Sequence, residues 1–126
     1  MGKTIAIIGA SERRKKYGNK AVRAFKDGGW TVYPVNPRVE MLEGLQCYAS
    51  ILDVPEPIDR VSMYVSPAAS RDMLDDIAAK RPGEVIFNPG SADDEVIALA
   101  LGKGLNPIQA CSIVNIGLRP ETYPDT

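Results

Sequence analysis

Five short apolar runs recur along the chain, at Lys3–Ile8, Thr31–Val35, Arg60–Val65, Glu84–Phe87 and Asn106–Ala110. The first, Thr4-Ile5-Ala6-Ile7-Ile8, has no polar alternation, the pattern of a strand covered on both faces in a parallel sheet. Between the runs, apolar positions fall at helical spacing. Ala21, Val22 and Phe25 mark one face of a helix over Gly18–Asp27, stopped by Gly28-Gly29. Ser66 as N-cap and Pro67 at the first helical position open a second helix, whose buried face is Ala69, Met73, Leu74 and Ile77. A third starts at Ser91, with Asp93, Asp94 and Glu95 in its first turn and Lys103 before Gly104, charges that complement the helix dipole at both ends. From Asn36 to Asp59 the pattern breaks. Gly44, Pro55 and Pro57 punctuate this crossover, and only Ala49–Asp53 reads as a helical turn. Strands alternating with helices predict an α/β fold, a Rossmann-like three-layer sandwich on a five-stranded parallel sheet. The expected strand order is 3-2-1-4-5, with a ligand crevice at the C-terminal ends of strands one and four, where the winding reverses.

Composition narrows the function. A chain of 126 residues is expected to form one domain, 1–126, with a real core. Its 15 basic and 16 acidic residues leave a formal charge of -1, which offers nucleic acid no global basic field. No apolar run reaches membrane-spanning length and the start carries no signal-peptide pattern, so a soluble cytoplasmic protein is expected. Two cysteines and no histidine argue against a disulfide framework, a Cys/His metal site and histidine-based catalysis. The remaining catalytic equipment is thin. Cys111 is expected to be a small buried hydrophobe, not a nucleophile, because no base stands ready to generate its thiolate. Tyr64, Trp30 and Tyr33 read as packing residues. An enzymatic activity is therefore not expected.

The residues after each strand would form the rim of the crevice. The first set, Gly9-Ala10-Ser11, keeps bulky side chains away from the backbone ahead of a helix N-terminus, an arrangement suited to a pyrophosphate. It departs from the G-x-G-x-x-G fingerprint, with Ser11 where the second glycine belongs and Glu12-Arg13-Arg14-Lys15-Lys16 inserted before Gly18. Within the basic run Lys16, nearest the helix, is the best candidate for a phosphate contact. A valine at Gly9 is expected to weaken binding severely and leave the cooperative fold intact. After the second strand, Val35-Asn36-Pro37-Arg38 lacks the carboxylate that an NAD ribose requires, and Arg38 suits a phosphorylated ribose instead. NADP, with its 2'-phosphate, and coenzyme A, with its 3'-phosphate, both carry one. After the fourth strand, Asn88-Pro89-Gly90 is placed to line the neutral arm of a ligand, with Ser91 capping its helix.

The segments Ile7-Ile8-Gly9-Ala10-Ser11, Lys16-Tyr17-Gly18-Asn19-Lys20-Ala21-Val22, Val32-Tyr33-Pro34-Val35-Asn36-Pro37 and Glu43-Gly44-Leu45-Gln46-Cys47-Tyr48 follow one another in an order and spacing that extends to Cys111. Together they resemble the small stand-alone CoA-binding domain family, the Rossmann-like module also found at the N-terminus of the succinyl-CoA synthetase α subunit. The resemblance implies that Gly9-Ala10-Ser11 holds the CoA pyrophosphate, with Lys16, Tyr17 and Gly18 also among the cofactor-binding residues. It also implies that Val35-Asn36-Pro37-Arg38 meets the adenosine, that Val65 and Ser66 border the nucleotide, and that Asn88-Pro89-Gly90 follows the pantetheine arm. Phe87-Asn88-Pro89 stands where many stand-alone relatives have a Trp-x-Gln type sequence. The resemblance does not extend to the synthetases' phosphohistidine domain or nucleotide-grasp subunit, so synthetase activity is not expected. The expected function is binding of coenzyme A or an acyl-CoA. The alternatives are an NADP-binding oxidoreductase-like module and an interaction module with a vestigial nucleotide pocket.

Overall fold

The computed structural model describes residues 3–126. The elements follow the order β1 (Thr4–Ile8), α1 (Tyr17–Asp27), β2 (Thr31–Val35), β3 (Met41–Leu42), β4 (Leu45–Gln46), a 3-10 turn at Ile51–Asp53, β5 (Arg60–Met63), α2 (Pro67–Lys80), β6 (Glu84–Phe87), α3 (Asp94–Gly102), β7 (Pro107–Gln109), α4 (Ser112–Asn115) and a 3-10 turn at Pro120–Thr122. β1, β2, β5, β6 and β7 form one parallel sheet, and β3 and β4 pair as a small antiparallel hairpin. The hairpin turns at Glu43-Gly44, both at positive φ (49° and 78°), the backbone that a two-residue hairpin turn requires.

Every residue of β1 is buried, and its period of two divides the interior into two layers. Ala6 and Ile8 join Met63, Phe87, Leu74 and Ile77 of α2, and Val96 and Ala100 of α3. Ile5 and Ile7 face the other side, against Val22 and Phe25 of α1, Ile113 of α4, and Tyr123. This is the expected three-layer α/β architecture. The apolar face proposed for α1 is fully buried at Ala21, Val22 and Phe25. α2 begins as expected, with the Ser66 hydroxyl accepting from the Ala69 amide and Pro67 next. Of its expected core positions Leu74 and Ile77 are buried, whereas Ala69 and Met73 are only partly so.

Two expectations are corrected. The sheet runs β2-β1-β5-β6-β7, which in chain order of its five strands is 2-1-3-4-5, not 3-2-1-4-5. The reason lies at the outer edge of β2. There the Pro34 carbonyl accepts from the Tyr48 amide and the Asn36 amide donates to the Tyr48 carbonyl, each at 2.9 Å. The returning crossover thus occupies the edge where a third strand would pair. Pro34, whose ring nitrogen has no hydrogen, is itself suited to an edge strand. The third strand docks instead on the free flank of β1, where the Asp59 carboxylate accepts from the Thr4 amide at 2.8 Å and the Tyr64 amide reaches the Ile8 carbonyl at 2.9 Å. Winding therefore reverses between β1 and β5, and the crevice opens there rather than between strands one and four. The second correction concerns α3. Asp93, not Ser91, is its N-cap, accepting from the Val96 amide at 2.9 Å, while Ser91 is buried and its hydroxyl donates to the Asn88 carbonyl.

Candidate functional site

The turn after β1 is built on two glycines. Gly9 has φ +83°, and a Cβ on it would lie 2.6 Å from the Tyr64 carbonyl oxygen and 2.9 Å from Val65 Cγ1. At Gly18 a Cβ would collide with the Gly9 carbonyl oxygen, so α1 rests directly on the turn. Gly9 and Gly18 thus do the work of the first and last glycines of a dinucleotide fingerprint, tight turn and close helix packing, across a longer insert. Tight contact with the end of β5 puts a cost on any side chain at Gly9 in the fold itself, against the expectation that a valine there would spare it.

The start of α1 is electrostatically open. Lys16 occupies the N-cap position with no capping side chain, and the first turn holds no carboxylate. Among the described residues no acceptor meets the amides of Ala10, Ser11, Tyr17 and Gly18. The starts of the other two long helices are already served, α2 by Ser66 and α3 by Asp93 together with Asp94 and Glu95. Unpaired amides and the positive end of an 11-residue helix converge on one small-residue turn, which suits an anion.

The basic run separates into two roles. Arg14 forms a two-pronged pair with Glu43, Nε to Oε2 at 3.1 Å and Nη2 to Oε1 at 2.8 Å, and so ties the β3–β4 hairpin to the loop. Asn19 donates to both Glu43 and the Ser11 carbonyl, and its own oxygen accepts from the buried Arg23 at 2.7 Å. Arg13, Lys15 and Lys16 remain exposed without ion-pair partners among the described residues, and of the three Lys16 borders the turn after β1. The Arg14 guanidinium and Asn19 hold the Glu43 carboxyl at about 2, below its ordinary 4.5. A carboxyl depressed on folding contributes stability that is complete above its unfolded value and lost as pH falls toward the folded one. Glu43→Gln is therefore expected to lower Tm at neutral pH and to flatten the loss of Tm between about pH 4.5 and 2. Thermal melts across that range check this, and a parallel pair of acid limbs would refute it.

Three adjoining cavities follow the C-terminal edge of the sheet. One of about 490 Å³ is bordered by Gly9, Val35, Asn36, Pro37, Arg38 and Val65, and also by Ile51, Met73, Ser50 and Asp76 among others. A second, about 280 Å³, is bordered by Gly9, Ala10, Ser11, Lys16, Tyr17 and Gly18. The third, about 460 Å³, is bordered by Tyr17, Tyr64, Val65, Ser66, Asn88, Pro89, Gly90 and Cys111. All fifteen residues singled out at the strand ends and at the start of α1 border this line of cavities. Gly9 is shared by the first two, Tyr17 by the last two and Val65 by the outer two.

Two of the polar candidates are committed to the protein. The Asn36 amide donates to the Ala10 carbonyl and its oxygen accepts from the Arg38 amide, each at 2.9 Å, so Asn36 clamps the turn and poses Arg38. Asn88 is buried. Its amide donates to Ser62 Oγ and the Met63 carbonyl, and its oxygen accepts from the Ser112 amide at 2.8 Å. The Ser62 and Ser112 hydroxyls are themselves 2.6 Å apart, and burial beside them pushes the Tyr64 phenol up. Arg38 is exposed and has no ion-pair partner among the described residues.

Several cavity residues lie outside the sequence reading. Ser50, Ile51, Met73 and Asp76 reach the first cavity from the crossover and α2, and Pro120 reaches the third from the last turn. Met73 lies on the face of α2 assigned to the core, and its partial exposure is what makes it a cavity wall. Nothing in the local pattern marks Pro120. Tyr64, assigned to packing, is half-buried and its ring borders two cavities.

A family model described as a CoA binding domain matches residues 3–117. An ADP-forming acetate–CoA ligase of Methanocaldococcus jannaschii is 34% identical over 92 residues, 72% of this chain but 13% of that enzyme. The chain thus spans a small part of the length of such curated relatives. Among solved structures, a conserved hypothetical protein from Pyrococcus furiosus superposes with a TM-score of 0.83 at 28% identity, covering 90% of this chain and 98% of that one. A protein from Thermus thermophilus superposes with a TM-score of 0.84 at 32% identity, covering 90% and 87%. One fold therefore accounts both for small proteins of similar size and for a single part of much longer ligases. The match runs from β1 past α4, and the chain belongs to the CoA-binding domain family.

Proposed function

We propose that the protein binds coenzyme A or an acyl-CoA through its nucleotide portion and performs no catalysis of its own. The observation that carries this reading is the uncapped start of α1, with its unpaired amides, in the middle of a line of cavities. A pyrophosphate is the anion that such a midpoint suits, because it joins two unlike arms. The 490 Å³ cavity offers Ile51, Met73 and Val65 to an adenine, and Arg38 to a ribose phosphate. The 460 Å³ cavity takes the pantetheine arm, with Tyr17 and Tyr64 beside it. Both volumes fall within the usual range for small-molecule sites.

The non-catalytic part of the reading rests on the third cavity. A thioester or thiol reaction needs a proton acceptor within hydrogen-bond reach of the sulfur end. The polar groups lining it are phenols, hydroxyls, the Asn88 amide and the thiol of Cys111 just before α4, with no carboxylate or lysine among them.

Titration calorimetry with CoA, NADP and NAD tests the assignment. CoA is expected to give saturable heat at concentrations where NAD gives none, because no carboxylate follows β2 to accept from a free ribose. NADP or NAD binding without a CoA signal would transfer the site to a nicotinamide cofactor.

A further inference from the structure

The family match ends at residue 117, yet the chain that follows is firmly attached. After the Leu118 amide bonds the Ile113 carbonyl, residues 120–126 lie along α1. Tyr123 is 6% exposed and its hydroxyl donates to Asp27 at 3.0 Å. Arg23 donates to the Pro124 carbonyl at 2.9 Å with its guanidinium 5.7 Å from the Tyr123 ring. Lys20 pairs with Asp125 at 2.8 Å, and Arg14 donates to the Thr126 carbonyl at 3.1 Å. Four side chains on or just before α1 therefore hold one strap. At its near end Pro120 borders the 460 Å³ cavity, together with Tyr17 and Cys111.

From this we infer that the strap sets the size of the group carried on the sulfur of the bound ligand, with Pro120 as the stop. The inference rests on the CoA reading, which assigns the sulfur end to this cavity. A wall limits ligand size only when moving it costs more than the ligand gains, and here movement would break contacts all along α1. Proline suits the position because its ring has almost no freedom to swing aside. The accommodated class is then free CoA and short acyl thioesters, while long acyl chains meet the wall. Packing of the strap on α1 would stabilise the helix whatever the ligand, so stability alone does not test the idea. The profile of affinity against acyl length does.

Full-length protein is titrated with CoA, acetyl-CoA and octanoyl-CoA, in the parent and in Pro120→Ala and Pro120→Leu. The parent is expected to bind CoA and acetyl-CoA alike and octanoyl-CoA at least about tenfold more weakly, the scale of one or a few misfitted methylenes. Pro120→Ala, which leaves every anchor of the strap in place, should narrow that gap to about threefold. Pro120→Leu should weaken acetyl-CoA about tenfold relative to CoA. Octanoyl-CoA binding to the parent as tightly as acetyl-CoA, or an unchanged gap in Pro120→Ala, would overturn the role of the strap while leaving CoA binding intact. A parent that binds none of the three ligands would instead remove the CoA reading, and this inference with it.

Discussion

Gly9→Val is expected to lose much of the stability of the fold, not merely its ligand. The backbone at Gly9 has φ +83°, a region that costs an L-residue about 1–2 kcal/mol. The new Cβ would also meet the Tyr64 carbonyl at 2.6 Å and Val65 Cγ1 at 2.9 Å. The first of these is backbone at the end of β5, held by the bond from the Tyr64 amide to Ile8, so it has little room to retreat. Overpacking of this kind costs roughly 1–3 kcal/mol, and a branched side chain belongs at the upper end. Together these take about 2–5 kcal/mol from a domain whose stability is typically about 5–15. Tm is expected to fall by roughly 10–20 °C, measured by circular dichroism and confirmed in urea. A Tm within a few degrees of the parent would mean that the β1 turn is slack and that Gly9 serves the ligand alone.

Arg38→Ala is expected to remove the preference for CoA over 3'-dephospho-CoA. Asn36 fixes the backbone at Arg38, and the exposed guanidinium borders the first cavity with no ion-pair partner among the described residues, Asp76 lying elsewhere in the same lining. A charge-assisted contact to phosphate is worth about 10–100-fold in affinity, which the parent should show as its preference for CoA. Rising salt should erode that preference, since the pair is solvent-exposed. In Arg38→Ala the two ligands should approach parity. Lys16→Ala, at the start of α1, should weaken both by a similar factor and leave their ratio alone. If the ratio survives in Arg38→Ala, the adenosine end lies in another part of the cavity line.

Much of this architecture could be read from local pattern. β2 and β6 have the expected bounds, α1 begins one residue early, and the Ser66-Pro67 start of α2 is as expected. Such features depend on neighbours a few residues apart, through capping, proline geometry and periodicity. The strand order could not be read in this way, because it turns on which flank of β1 accepts β5. That choice involves Thr4 with Asp59, 55 residues apart, and Tyr48 against Pro34. The proline itself carried a signal for an edge strand, but one that gains meaning only when its neighbour is known. The N-cap of α3 was misplaced because Ser91 and Asp93 are both good capping residues, and burial of Ser91 under Asn88 decides between them.

For the site, the sequence by itself determined the chemistry available at the strand ends: small residues after β1, no carboxylate after β2, an arginine there, and no histidine anywhere. These are matters of residue identity beside a strand terminus, and a parallel sheet brings such termini to one edge in either strand order. Tertiary structure alone decided which polar groups remain available to a ligand. Arg14, Arg23, Asn36 and Asn88 are as polar in the sequence as Lys16 and Arg38, yet their donors are used within the fold. It also brought Met73, Asp76 and Pro120 to the cavities from α2 and from a strap beyond the family match. The physical reason is that a buried hydrogen-bonding group must find its partner wherever the packed chain places one, while a cavity forms from whatever surfaces packing leaves facing each other. Neither is a property of adjacent residues.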